Sequence, residues 1–82
     1  MRLDVLLFEL RLFKSRSQAA AAIQSGAALL DDAVAKPSRE ARAGQRITLI
    51  GHGSRRTLEI LELPHGNVSK DVAKTLVREI AG

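Results

Sequence analysis

Three cationic side chains, Arg11, Lys14 and Arg16, fall within six residues that contain no acid. Ser15 and Gln18, interleaved with them, have the spacing of a capping box, in which side chains satisfy exposed amides at a helix start. This combination suits phosphate binding. A helix amino end directs free N–H groups and a positive dipole at an anion, and guanidinium groups beside it make paired, charge-assisted bonds to phosphate oxygens. A second basic run, Lys36, Arg39, Arg42 and Arg46, is offset only by Glu40. If the two runs share a face they form one groove; on opposite faces they are no more than surface charge.

Catalysis has little to stand on. His52 and His65 sit in glycine-containing loops without the His/Glu spacing of zinc hydrolases, and Asp31-Asp32 lacks the pattern of a calcium loop. These are read as turn residues. Gly51-His52-Gly53 is only a fragment of a dinucleotide fingerprint, and no phosphate-loop motif is present. The expectation is a binding protein, not an enzyme, with no cofactor and no metal.

The elements that must position the basic residues follow from periodicity. Leu3, Leu6, Leu7 and Leu10 recur at helical spacing with Asp4 placed to cap, which predicts a first helix over 4–12. A second helix should begin at Ser15, run through the alanines to Ile23, and stop at Gly26, a residue that enters the left-handed conformation at little cost. Beyond it the pattern becomes extended. Ala28 to Leu30 and Val34 to Ala35 flank an Asp31-Asp32 turn, Lys36-Pro37-Ser38 breaks any continuing strand, and Ala43-Gly44 turns into a strand over 46–50 with Ile47 and Leu49 on one face.

Gly51 to Ser54 forms the next turn, and 57–63 is the longest strand candidate, with a bulge or twist where the alternation shifts from Leu58 and Ile60 to Leu61 and Leu63. Pro64 to Asn67 ends the sheet. Ser69 then caps a last helix whose apolar stripe is Val72, Ala73, Leu76, Val77 and Ile80. The whole is an α+β domain, a helix pair on a small, mainly antiparallel sheet with a C-terminal helix completing the core.

At 82 residues the chain holds one compact domain over 1–82. Lys+Arg 13 against Asp+Glu 9 gives a formal charge of +4, which favours polyanionic partners. Aromatic residues make up only 2%, so base stacking on aromatic platforms is nearly unavailable and backbone contacts must dominate. No cysteine is present, which leaves packing to supply stability. The apolar opening is interrupted by Glu9 and Arg11 and lacks a small-residue cleavage site, so it reads as neither signal peptide nor membrane span, and a cytoplasmic, self-standing protein is expected.

Arg2-Leu3-Asp4 opening a helix, the block from Arg11 to Ala19, Gly26, Lys36-Pro37-Ser38 and the Gly44 turn together resemble the S4-like RNA-binding domain. Within that superfamily the chain looks most like the stand-alone, ribosome-associated heat-shock-protein-15 type, which acts on large ribosomal subunits carrying a stalled peptidyl-tRNA; Gram-positive relatives serve ribosome quality control. The strong part of the likeness covers residues 2 to about 50. It implies the α-L arrangement of a helix pair and hairpin, ribosomal RNA and the large subunit as partners, tRNA as a further partner, and RNA contacts at Arg2, Arg11, Lys14, Arg16, Ser17, Gln18, Lys36, Ser38 and Arg39. It also places Leu3, Leu6, Leu10, Ala20 and Ile23 in the helix-pair core. Asp31-Asp32 stands where such domains typically have an Asn-Gly turn.

A rival reading comes from the second apolar face of the first helix, Val5, Phe8 and Leu12, which would suit a protein-interaction or dimerisation module if exposed. A monomer with those side chains buried internally is the expected state.

Overall fold

A computed structural model describes residues 1–51, 53–66 and 68–80. The elements are α1 (Leu3–Glu9), α2 (Arg16–Ser25), β1 (Ala28–Leu30), β2 (Arg46–Gly51), β3 (Ser54–Ile60), α3 (Lys70–Thr75) and β4 (Val77–Ile80). The four strands form one sheet in the order β1-β2-β3-β4, every neighbour antiparallel. Ile47 lies opposite both Leu30 and Leu58, and Ile60 opposite Val77, so one sheet face is apolar. Leu3, Leu6, Leu7, Ile23, Ile47 and Ile60 are the large side chains fully enclosed between that face and the helix pair. Burying each contributes roughly 1.5–3 kcal/mol.

Both long helices end in the same way. At α2, Gly26 has φ +83°, its amide bonds to the Ile23 carbonyl and the next amide, Ala27, reaches back to Ala22, the paired bonds of a Schellman motif. At α1, Arg11 occupies the equivalent position with φ +63°, its amide on Phe8 and the Leu12 amide on Leu7. The expected helix over 4–12 therefore stops three residues early. The left-handed residue there is an arginine, so no glycine marks the end.

The Asp31-Asp32 turn forms as expected, with a change in what it joins. Both residues have positive φ, +50° and +63°, and Leu30 and Ala33 exchange backbone bonds of 3.0 Å across them, the geometry of a type I′ turn in which Asn-Gly is the common pair. Asp31 is then tied to the start of β2, its Oδ1 accepting from the Arg46 amide at 2.9 Å and its Oδ2 from Gln45 Nε2 at 3.1 Å. Val34 and Ala35 form no strand, because β1 pairs instead with β2.

The C-terminal region departs most from expectation. Ser69 caps α3, its Oγ accepting from the Val72 amide at 3.2 Å, but the helix ends at Thr75 and 77–80 is a strand. The open edge of β3 captures it. Val77 pairs with Ile60, Arg78 bonds across to Glu59 at 2.6 Å, and Arg56 bonds to Glu79 at 2.9 Å. Ladder bonds and cross-strand pairs outweigh the short helical stripe. β3 also begins at Ser54 and ends at Ile60, and the expected bulge follows it: the Leu61 and Glu62 amides both donate to the Leu76 carbonyl, two residues opposite one. His52 and Asn67, read from sequence as turn residues, lie outside the described residues, as do positions 81 and 82.

Candidate nucleic-acid interface

The segment 36–39 is fastened to the start of α1 by the helix's own first-turn amides. Leu3 donates to the Arg39 carbonyl at 2.8 Å and Asp4 to the Pro37 carbonyl at 3.1 Å. A helix leaves these donors unpaired, and here a distant loop satisfies them. That loop is held at its other side by an Arg2–Glu40 bridge, by the Ala41 amide on the Met1 carbonyl, and by the Met1 ammonium paired with Glu40. The contact with the ammonium keeps the Glu40 carboxyl below its ordinary range, with Arg42 adding to the effect.

This fastening brings the two basic runs partly together. Arg2, Lys36 and Ser38 line one shallow cleft, whose α2 wall is Ala20 and Gln24. Arg39 lines the adjoining hollow, which Lys36 and Ser38 share. On a helix, Arg16 and Ser17 precede Ala20 by four and three residues, so the same stripe of α2 continues from the cleft to its amino end, about 6 Å from Ala20 at 1.5 Å per residue. There Ser15 Oγ accepts from the Gln18 amide at 3.1 Å, while among the described residues the amides of Arg16 and Ser17 have no acceptor. Lys14, Arg16, Ser17 and Gln18 are all exposed at this end.

Charge pairing separates this face from the surface of β3 and β4. Among the described residues, Lys14, Arg16, Lys36 and Arg39 enter no ion pair, whereas on the sheet Arg55 pairs with Asp32, Arg56 with Glu79 and Arg78 with Glu59. Cations without internal partners keep their full attraction for an incoming polyanion. Arg2 is intermediate. Its guanidinium makes two bonds to the buried Asp4 carboxylate, 3.1 and 3.2 Å, which fixes its position while half its side chain stays exposed.

Not every expected residue converges. Arg11 sits beyond the far end of α1 from Arg2 and donates from Nη2 to the Val68 carbonyl at 2.8 Å, in a groove beside Lys70 and Lys74. Arg46 lies at a hollow on the sheet, with Asp32 and Arg55. Sequence reasoning missed Asp4 as the clamp on Arg2, and also Gln24 in the cleft wall, although its spacing of eight from Arg16 places it on the same stripe. As for the rival face, α1 supplies none of the large exposed apolar side chains; Val5, Phe8 and Leu12 are partly buried, and Leu12 packs against the core.

The S4 domain family matches residues 1–47, more than half of the chain and the whole of the segment that builds this face. The chain belongs to the S4 family of RNA-binding domains. The S4 fold is also that of heat shock protein 15 of Vibrio cholerae, solved as a trimer, with a TM-score of 0.90 and 31% identity over 99% of this chain and 82% of that one. No curated protein sequence matches. The S4 match ends inside β2, so β3, α3 and β4 are linked to known proteins by the structural likeness.

Proposed function

We propose that this S4 domain binds structured ribosomal RNA of the large subunit and works in the rescue or quality control of stalled ribosomes. Arg2, Lys14, Arg16, Ser17, Gln18, Lys36, Ser38 and Arg39 would contact the RNA. The observation that carries the reading is the band of unpaired cations along one face of α2, ending at the open amides of Arg16 and Ser17, while the arginines of β3 and β4 are neutralised by carboxylates. Phosphates seated along that band would provide most of the affinity, and with scarcely any aromatic surface the readout would be of backbone shape rather than of stacked bases. The role is binding rather than turnover. Its likeness to heat shock protein 15 supports the ribosomal target and a place in the cytoplasm.

Cosedimentation tests it. The chain should travel with large ribosomal subunits, more strongly with those carrying peptidyl-tRNA, and should leave small subunits free. Equal partition among all particles, or none with any, would contradict the proposal. Crosslinking and sequencing of the bound RNA then identify the element, and sedimentation of the free protein determines its assembly state, since the Vibrio cholerae protein was solved as a trimer.

A further inference from the structure

A second cationic groove lies between the turn after α1, α3 and β4. It encloses about 350 Å³, its floor includes Leu12, Leu58 and Val77, and its rim carries Arg11, Lys70 and Lys74. Among the described residues none of these three cations is in an ion pair. Within the groove only Glu79 is acidic, and Arg56 already holds it at 2.9 Å. Arg11 is held in place twice, by its left-handed backbone at the end of α1 and by its bond to the Val68 carbonyl. Lys70 and Lys74 stand four residues apart on α3, on one face with Cβ atoms about 6 Å apart.

We infer that this groove is a second RNA site, which takes a single-stranded nucleotide segment flanking the structured RNA held by the α2 face. The inference rests on the RNA-binding reading above. Its chemistry differs from that of the first face. There, cations surround an open cleft suited to a folded backbone; here, a cationic rim surrounds an apolar floor, which suits a strand whose phosphates meet Arg11, Lys70 and Lys74 while a base or ribose lies on Leu12 and Val77. Arg2 and Arg11 are nine residues apart across α1, so the two sites are separated by on the order of 14 Å and one RNA reaches both. The excess of unpaired positive charge favours a nucleotide strand over an apolar peptide. An acidic peptide is the competing occupant, and the test includes it.

The experiment compares a plain RNA hairpin with the same hairpin carrying a short single-stranded flank, binding the wild-type chain and Lys70→Ala/Lys74→Ala across a range of salt. Both lysines are exposed, and circular dichroism checks that the fold is kept. For the wild type the flank should tighten binding about tenfold and steepen the logarithmic salt slope by about 2, three contacts at roughly 0.7 each for a single strand. The double variant, which keeps Arg11, should lose about 1.4 of that slope and most of the tightening yet hold the plain hairpin as the wild type does. Plain-hairpin binding that the flank does not improve overturns the second site alone, as does a double variant that keeps the gain, or polyglutamate that displaces the flank as readily as a single-stranded RNA does. A wild type that binds neither RNA overturns the RNA-binding reading as well.

Discussion

Replacing Ser15 separates the two tasks of the α2 amino end. Its Oγ accepts from the Gln18 amide at 3.1 Å, in extended backbone at φ −151°, so Ser15→Ala leaves one more amide of the first turn without a partner. Loss of such a cap costs about 1 kcal/mol. With an unfolding entropy near 2.1 cal/mol/K per residue, a chain of 82 residues should melt about 6 °C lower. Ser15→Asp restores an acceptor and complements the helix dipole, so its melting temperature should return to within a degree or two of the wild type. The same carboxylate stands between Lys14 and Arg16, where a phosphate is proposed to sit. Repulsion of about 1 kcal/mol at 4 Å in water-like surroundings amounts to a fivefold loss of RNA affinity, fading as salt rises. The assays are thermal denaturation by circular dichroism and fluorescence anisotropy with a ribosomal RNA fragment. An aspartate variant as unstable as the alanine variant would refute the capping argument; one that binds RNA like the wild type would refute the phosphate site.

Leu6, fully buried beneath the sheet, should lose 2–5 kcal/mol as Leu6→Ala, seen as a lower urea midpoint at unchanged slope. Gly26→Ala meets no crowding, its nearest neighbour being Val34 Cγ2 at 4.0 Å, but φ +83° is strained for alanine, so a loss of about 1 kcal/mol and a melting temperature lower by several degrees are expected. Glu40 has its carboxyl lowered in the folded state by the Met1 ammonium, so its contribution to stability is complete above the ordinary carboxylate range and is lost as pH falls through the lowered value. An NMR titration should find Glu40 below the ordinary glutamate value, and Glu40→Gln should remove that part of the acid dependence.

How legible the fold was depended on how local its causes are. Ser15 and Gly26 bound α2 through contacts within four residues, and the alternation of Ile47 with polar neighbours marks β2, so both elements could be read from the chain. The end of α1 could not, because Arg11 takes a left-handed conformation that only glycine or asparagine advertises. Residues 77–80 carry a helical stripe and strand-compatible side chains at once, and the choice was made by the open edge of β3, some twenty residues away. The same limit applied to the site. The cations around α2 were visible as types and spacing. What fastens Lys36 and Ser38 beside Arg2 is a pair of backbone bonds from the first turn of α1 to the Pro37 and Arg39 carbonyls, and what removes Arg11 from that group is a carbonyl 57 residues further on.

Two triple variants of equal net charge address the central claim most directly. Lys14→Ala/Arg16→Ala/Lys36→Ala removes cations that have no ion-pair partner among the described residues, and Arg55→Ala/Arg56→Ala/Arg78→Ala removes three that are paired on the sheet. Binding to large-subunit RNA is measured across a salt series for each. The first variant should lose about 2 from the logarithmic salt slope, at 0.7 to 0.9 per phosphate contact, and the second should keep the wild-type slope. Equal losses in the two variants would mean that net charge alone attracts the RNA, and that the face built around α2 is not the site.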